Sequence, residues 1–315
     1  MSKLIKVALL GLGNMGQNHL RNLVMLKNVE VSFIHDLNEE IMKSTSLKYN
    51  VPFIVDWRNH LDKVDALIIV TPTNTHYDYI VEAAKYVKNI FVEKPLTHNV
   101  ETSEKIVSLA KLEKLNIQVG FIERYNPAIT SLERVLKNSS KVIAIDFTRT
   151  NKVSSRITDV DVVIDLMIHD IDLALNFSGK PKSIAAHGHV KDGMIEYARA
   201  LITHENGVFS NIVASRITEK RMRHVSSTCE DMYVDCNLLS KTLKVNKQTI
   251  EQYLENVSIS SKEETIDVRP QEGLLMELID FTNSCREIVD GTPNEKDSLL
   301  AIQVASSIQN LILEK

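Results

Sequence analysis

The N-terminal part of the chain alternates short apolar runs with longer segments whose apolar residues recur at helical spacing, and this pattern restricts the fold more than any other feature. It extends from Lys3 to Gly120 and predicts a parallel sheet with crossover helices, the doubly wound α/β class. The predicted strands are Ile5–Leu10, Val29–His35, Pro52–Val55, Ala66–Val70, Asn89–Val92 and Ile117–Gly120. The predicted helices are Asn14–Met25, Asn38–Lys48, His76–Lys85 and Val100–Lys114.

The pattern changes after Tyr125, where a helix beginning near Pro127, a strand at Val142–Arg149 and a long apolar helix are predicted. Later runs lack crossover helices and are separated by turn residues such as Asn206-Gly207, which predicts consecutive antiparallel strands. These strands are Ser183–His189, Tyr197–Thr203, Val208–Arg216, Arg223–Cys229 and Met232–Asn237, and helices Leu274–Val289 and Ser298–Leu313 follow them. The 315 residues thus predict two domains, residues 1–122 and an α+β substrate domain at residues 123–315.

Composition argues against several classes of partner. The chain has 37 Lys and Arg against 41 Asp and Glu, a net charge of −4, and no block of basic residues, so we expect no nucleic-acid partner. Cys229, Cys236 and Cys285 lack the spacing of metal ligands, which favours reduced thiols in the cytoplasm and no metal. No run approaches the roughly 20 apolar residues of a membrane span, so we expect no membrane partner.

A glycine-rich turn lies between the first predicted strand and the first predicted helix, with the sequence Gly11-Leu12-Gly13-Asn14-Met15-Gly16. In this context it matches the dinucleotide fingerprint of a Rossmann fold. Gly11 would permit the tight turn, Gly13 the approach of a pyrophosphate, and Gly16 close packing of helix on strand. We therefore count these glycines, with Asn14 and Met15 between them, as cofactor-binding residues; the alternative is that they serve the turn alone.

An acidic residue ends the second predicted strand, since Asp36 lies 20 positions after Gly16. A carboxylate there accepts hydrogen bonds from the adenosine ribose hydroxyls and repels a 2′-phosphate. The expected cofactor is therefore NAD rather than NADP, although Asn38 and Lys43 nearby leave NADP open.

Two further segments follow predicted strands of the same sheet, at the edge where open α/β folds bind ligands. In the segment Thr71–His76 we expect Thr71, Pro72, Asn74 and His76 to contact the cofactor, although Asn74 or Thr75 capping the next helix explains the segment equally well. In Glu93-Lys94-Pro95, we expect both Glu93 and Lys94 to contact the cofactor, and Lys94 also to be a positioned proton donor. The alternative for Lys94 is a solvated loop residue.

A polar stripe marks the long apolar helix between Asp161 and Asn176. At helical spacing, Asp161, Asp165, His169, Asp172 and Asn176 fall on one side, so the stripe must line a cleft or pair internally. Asp165 and His169, at i and i+4, are placed so that the carboxylate can orient the imidazole as a general base. The alternatives are a buried structural pair, or a metal site in which Asp165 or Asp172 joins His169.

Together these motifs resemble the glucose-fructose oxidoreductase, inositol dehydrogenase and rhizopine catabolism family, Gfo/Idh/MocA, over essentially the whole chain. The resemblance implies a Rossmann domain, an α+β domain with an open, mainly antiparallel sheet that supports a homodimer or homotetramer, and NAD(P)-dependent chemistry on sugars and polyols. It also implies that Lys94 hydrogen-bonds the reacting oxygen, that His169 transfers the proton, and that Asp165 orients His169.

The glycine-rich run that precedes this aspartate in inositol dehydrogenases is absent here, which argues against inositol. The segments Gly120–Pro127 and Asp161–Leu173 resemble the branch that oxidises the 3-hydroxyl of UDP-N-acetylglucosamine or its uronic acid. The residues expected to contact substrate are Arg124, Tyr125, Asn126, Arg156 and Asp172. Lys220, Arg221 and Arg223 are candidates for a nucleotide diphosphate, or are surface cations. A myo-inositol or free-sugar dehydrogenase of the same family, an imine or bilin reductase, an oligomeric scaffold subunit and a non-catalytic dinucleotide sensor remain alternatives.

Overall fold

The computed structural model describes residues 4–152, 160–253, 256–287 and 292–314. Its contacts divide the chain into two units, one of Met1–Ile122 with Glu272–Ile302 and the other of Glu123–Gln271 with Gln303–Lys315. The sequence assigned residues 272–302 to the second domain. In the structure they belong to the first, because Leu274, Leu278 and Phe281 pack into its hydrophobic core.

The first unit contains a five-stranded parallel sheet with the strand order β2-β1-β3-β4-β5, as the Rossmann pattern predicts. Its strands are β1 (Ile5–Leu10), β2 (Val29–His35), β3 (Ala66–Ile69), β4 (Asn89–Glu93) and β5 (Asn116–Gly120). Its helices include α1 (Asn14–Leu23), α2 (Glu39–Tyr49), α3 (His76–Ala83), α4 (Val100–Glu113) and α7 (Gly273–Glu287). The strand predicted at Pro52–Val55 is wrong: only Phe53 forms an isolated bridge, to Ile34, and Pro52 has no N–H to extend it.

Strands of this sheet are buried on both faces, as expected when helices cover a parallel sheet. All four residues of β3 are fully buried. The strand order reverses between β1 and β3, so a crevice opens at the carboxyl ends of these two strands. The glycine turn after β1 and the Thr71 segment after β3 therefore lie at the expected ligand position.

The second unit contains an eight-stranded sheet with the order β13-β12-β11-β10-β6-β9-β8-β7. Its strands are β6 (Val142–Thr150), β7 (Pro181–Lys191), β8 (Met194–His204), β9 (Phe209–Ser215), β10 (Met222–Cys229), β11 (Met232–Asn237), β12 (Thr242–Tyr253) and β13 (Asn256–Ile266). All pairs are antiparallel except β6 and β9, which run parallel at the centre. The mainly antiparallel sheet expected for this domain is therefore confirmed, with one parallel pair at its centre.

The helices of this unit are α5 (Pro127–Lys137) and α6 (Ile168–Ser178), with the residues of α8 (Glu295–Leu313) from Gln303 onward. Helix α6 packs against β6 and β9. A π-helix at Val163–Met167 leads directly into α6. Among the described residues, no helix is both long and apolar enough to cross a membrane.

Candidate active site

The glycine turn after β1 requires glycine at two of its positions. Gly11 has a φ of +92°, and a Cβ there would lie 2.3 Å from the Val70 carbonyl oxygen. A Cβ on Gly16 would lie 2.0 Å from the carbonyl oxygen of Gly11. Because neither position has a side chain, the glycine turn packs directly against the residue after β3 and against the first turn of α1.

Gly13 has a different environment, because a Cβ there would meet no atom of the described residues within 4 Å. Gly13 is the N-cap residue of α1, yet no side chain caps this helix and no acidic residue lies in its first turn. The backbone N–H groups and the positive end of the helix dipole therefore face open space. This arrangement fits a pyrophosphate, which such helix ends bind without further groups.

A cavity of about 520 Å³ opens in front of this turn. Its lining includes the cofactor residues predicted from the sequence at Gly11, Gly13, Asn14, Met15, Asp36, Thr71 and Pro72. It also includes residues that the sequence analysis did not assign to the cofactor, namely His35, Leu37, Ile41, Val70, Thr75 and Tyr79. Leu37 is 87% exposed although it is apolar, and it directly follows Asp36 in the sequence, a position that could have identified it as an apolar wall of the cavity.

Asp36 is fixed at the edge of this cavity by backbone donors. Its Oδ2 accepts from Leu12 N at 2.7 Å and its Oδ1 from Asn38 N at 2.9 Å. Asn38 in turn caps α2 by accepting from the amides of Glu40 and Ile41. Each carboxylate oxygen keeps a lone pair for a ribose hydroxyl.

The Thr71 segment forms a short 3₁₀ turn at Thr73–Thr75. The Thr75 hydroxyl donates to the Pro72 carbonyl oxygen rather than capping α3, so the predicted cap is wrong for Thr75. His76 is buried, with Nδ1 3.0 Å from the Pro95 carbonyl oxygen and Nε2 3.0 Å from that of Thr71. Burial lowers the pKa of His76. His76 therefore connects the two predicted ligand segments instead of lining the cavity.

Several other predicted cofactor residues also lie outside the cavity lining: Gly16, Asn74, Glu93 and Lys94. Glu93 is the last residue of β4 and Lys94 follows it, joined to Pro95 by a cis peptide bond. Glu93 Oε2 accepts from the backbone N–H of Lys94 at 3.2 Å. Direct contact of these residues with the cofactor stays a prediction.

In the second unit, the π-helix changes the expected polar stripe, because its hydrogen bonds span five residues instead of four. Asp161 precedes it and accepts from Val163 N and Ile164 N through Oδ1, and from Gln309 Nε2 through Oδ2. Asn176 lies at the far end of α6 and lines another cavity. The single stripe predicted over Asp161–Asn176 is therefore wrong, and its members have separate roles.

Asp165 lies in the π-helix and His169 in the first turn of α6, and both are half-buried. Asp165 Oδ2 is 3.8 Å from Nη2 of Arg216, a buried residue that the sequence analysis did not single out. The same Nη2 donates to the Val160 carbonyl oxygen at 2.6 Å. π-helical turns occur often at functional sites. Orientation of His169 by Asp165 stays a prediction.

Two ion pairs hold the helix that carries His169. Asp170 accepts from Arg149 Nε and Nη2, both at 2.8 Å, and Asp172 accepts from Arg124 Nε at 2.8 Å and Nη2 at 2.6 Å. Asp172 is 1% exposed, so this two-point ion pair with Arg124 is buried on the carboxylate side. Contact of Arg124 and Asp172 with substrate stays a prediction.

Arg149 is the centre of a buried cluster that includes Glu123 and Arg223. Its Nη1 donates to Glu123 Oε1 at 2.8 Å, and Arg223 Nη1 donates to the same oxygen at 3.2 Å. Burial alone would lower the pKa of the Arg149 guanidinium, but the carboxylates of Asp170 and Glu123 outweigh it and raise the pKa. The cluster thus connects four elements of the second unit: the turn that precedes α5, the strands β6 and β10, and the helix α6.

The remaining predicted substrate residues have mixed environments. Asn126 caps α5 by accepting from Ala128 N and donates to Glu123 Oε2 at 3.0 Å. Tyr125 is half-buried, whereas Lys220 and Arg221 are exposed. Arg156 lies outside the described residues. Within the described part of the chain, no group of three or more His, Cys, Asp or Glu side chains could hold a metal ion.

Comparisons with known proteins agree with this fold. A model described as an oxidoreductase family with an NAD-binding Rossmann fold matches residues 5–121, and that of the GFO/IDH/MocA C-terminal domain matches residues 145–230. UDP-N-acetylglucosamine 3-dehydrogenase of Acidithiobacillus ferrooxidans is 26% identical over 312 residues, which cover 97% of each chain. scyllo-Inositol 2-dehydrogenase (NAD(+)) of Bacillus subtilis is 30% identical over 234 residues, 69% of this chain and 68% of that one.

A solved structure of the Acidithiobacillus ferrooxidans UDP-N-acetylglucosamine 3-dehydrogenase has the same fold. It superposes with a TM-score of 0.89 at 24% identity, and the match covers 98% of this chain and 97% of that one.

Proposed function

The chain belongs to the Gfo/Idh/MocA family of NAD-binding oxidoreductases, and from this membership we propose that it oxidises a secondary hydroxyl of a sugar nucleotide. The chain is an enzyme that acts on CH–OH groups, and its cofactor is NAD. The first candidate substrate is UDP-N-acetylglucosamine, oxidised at C3. The observation that carries this choice is the match to a UDP-N-acetylglucosamine 3-dehydrogenase over 97% of both chains.

The residues of the first unit would hold the dinucleotide as follows. The uncapped N-terminus of α1 and the open space at Gly13 receive the pyrophosphate, and Asp36 accepts from the ribose hydroxyls. When bound, NAD supplies the hydride acceptor. Lys94 donates a hydrogen bond to the reacting oxygen and stabilises the negative charge that develops on it.

Proton transfer is assigned to the second unit. His169 takes the proton of the hydroxyl, so that loss of the proton and of the hydride converts the CH–OH group to a carbonyl. Asp165 orients the imidazole, and Arg216 at 3.8 Å holds Asp165 in place. The exposed cations Lys220 and Arg221 are suited to a diphosphate.

A second candidate is oxidation of an inositol or a free sugar, which the 30% identity to scyllo-inositol 2-dehydrogenase favours. The two candidates are distinguished by single-turnover absorbance of reduced nicotinamide, with stoichiometric protein and NAD, against UDP-amino sugars, UDP-sugar uronates, free sugars and inositols. We expect a rise with UDP-N-acetylglucosamine. A rise only with inositols or free sugars would select the second candidate, and no rise with any of them would contradict both.

Cofactor preference provides a test of Asp36. We expect Asp36→Asn to raise the affinity for NADP relative to NAD by at least about tenfold, because it removes the charge that repels a 2′-phosphate. The amide oxygen still accepts a backbone hydrogen bond, so the turn is preserved in part. Kd values for NADH and NADPH from fluorescence titration measure the change.

The matched control for this test is Glu39→Gln, which removes an exposed carboxylate from the first turn of α2, outside the cavity lining. The control should leave the preference unchanged. An unchanged preference in Asp36→Asn would contradict the role of Asp36.

We also propose that the chain forms a homodimer or homotetramer through the eight-stranded sheet. Phe209 pairs with Ala144, Ala144 with Thr228, and Thr228 with Tyr233, so these residues lie in one row across the sheet. In this row Phe209 is 40% exposed and Tyr233 is 43% exposed. Leu201 lies on the same face and is 45% exposed. A face with several exposed large apolar side chains is typical of an interface.

Light scattering after size exclusion should give a mass of two or four chains of 35.6 kDa. Phe209→Lys should shift the protein to smaller species, and Leu47→Lys on α2, where the side chain is 85% exposed, should not. A monomeric mass for the unsubstituted protein would contradict the proposal.

A further inference from the structure

A buried histidine on α1 has no role in the site described so far. His19 is fully buried, and its ring packs edge-to-face with that of Phe91, with the ring centroids 5.3 Å apart. Its Nε2 lies 2.7 Å from Glu93 Oε1. Its Nδ1 is buried and has no hydrogen-bond partner among the described residues.

Packing does not explain a histidine at this position. A buried polar atom without a hydrogen bond lowers stability, and a leucine would fill the space next to Phe91 without leaving one. A carboxylate only accepts hydrogen bonds, so Nε2 is the donor to Glu93. The hydrogen bond from Nε2 is therefore what distinguishes histidine from an apolar residue at position 19.

The carboxylate of Glu93 is restrained from several directions. One oxygen accepts from His19, and the other accepts from the backbone N–H of Lys94 at 3.2 Å. Gly120 lies opposite Glu93 in the pairing of β4 with β5, and a Cβ there would be 2.9 Å from Glu93 Oε2. Glycine at position 120 thus leaves the space that the carboxylate occupies.

We propose that His19 is a positioning residue for Lys94, acting through the Glu93 carboxylate. The inference rests on the proposed function in one respect: Lys94 is taken as the group that hydrogen-bonds the reacting oxygen. The hydrogen bond from His19 sets the rotamer of Glu93. Glu93 in turn holds the backbone N–H of Lys94, next to the Cα from which the lysine side chain extends. Helix α1 therefore presents its N-terminus to the pyrophosphate and also fixes the position of the lysine.

The direct test observes Lys94 without substrate. In protein labelled with ¹⁵N-lysine, the Lys94 amide is assigned by its loss in Lys94→Arg, and its hydrogen exchange is measured. His19→Leu should accelerate this exchange by about tenfold, the factor expected when one hydrogen bond of ordinary strength is lost. His19→Gln, whose amide can still donate to Glu93, should exchange as the unsubstituted protein does.

Two further variants complete the test. Gly120→Ala displaces Glu93 from the opposite side and should change the hydrogen-exchange rate of the Lys94 amide even though His19 is present. This variant keeps the test available if His19→Leu fails to fold. His204→Leu, a buried histidine of the other unit, should leave the amide unchanged. An unchanged Lys94 amide in both His19→Leu and Gly120→Ala, or equal effects of Leu and Gln at position 19, would overturn the proposal.

The activity measurement addresses the consequence for catalysis. His19→Leu should lower kcat by about 10- to 100-fold, as expected for misplacement of a catalytic group, with a much smaller change in the Kd for NAD, and His19→Gln should restore kcat. Equal losses of kcat and NAD affinity would overturn the positioning role in favour of a structural one. If the unsubstituted protein oxidises no substrate, the proposed function fails, and the amide measurement alone decides the role of His19.

Discussion

Replacing His169 by alanine is expected to lower turnover by about 10²- to 10⁴-fold, the usual contribution of a positioned general base. The hydroxyl proton would then have to leave to water. NAD affinity should stay nearly intact, because the cavity that carries the dinucleotide residues is lined by the first unit, whereas His169 belongs to the second. Single-turnover absorbance of reduced nicotinamide measures the chemical step.

The affinity measurement can use the chain's single tryptophan. Trp57 is buried against Tyr79, with ring centroids 5.2 Å apart, and Tyr79 lines the cavity, so NAD binding should change its fluorescence. The matched control is His189→Ala, an exposed histidine on β7 that should leave both quantities unchanged. Equal losses of turnover and of NAD affinity in His169→Ala would show that the histidine has a structural role.

Lys94→Ala and Asp165→Asn separate the remaining roles. Lys94→Ala should also suppress the absorbance rise, since it removes the hydrogen bond to the reacting oxygen. Asp165→Asn keeps the shape of the side chain and should have the smaller effect, because His169 itself remains.

The elements of the first unit were predictable because their signals are local. Each strand of the parallel sheet is a short apolar run, and the glycine turn follows the first of them. The hairpin of β12 and β13 was missed because β13 is dominated by serine, lysine and glutamate, so no apolar run marks it. Strand propensity depends on the neighbours across the sheet, and these are not visible in a single run.

The candidate site shows the same limit. Asp36 and the glycines were found because the fingerprint fixes their spacing. Arg149 was missed because its carboxylate partners are 21 and 26 positions distant, and no local pattern relates a strand arginine to a helix and a turn. The π-helix was missed because a stripe drawn at 3.6 residues per turn assumes regular α geometry.

Arg149 carries the largest expected effect on stability. It is 2% exposed and donates to both Asp170 and Glu123. Arg149→Met would therefore leave two buried carboxylates, with Arg223 as the remaining cation that contacts Glu123 among the described residues. Loss of one partner from a buried ion pair costs roughly 3–5 kcal/mol, and we expect the free energy of unfolding to fall by about that amount. Urea denaturation followed by circular dichroism measures the change.

The mechanism is tested by a double variant. Arg149→Met with Asp170→Asn removes one of the uncompensated charges, so it should be more stable than Arg149→Met alone if buried charge is the cause. The matched control is Lys152→Met, which breaks an exposed ion pair with Glu219 and should change stability little. A double variant that is no more stable than the single one would show that unpaired charge at Asp170 does not explain the destabilisation.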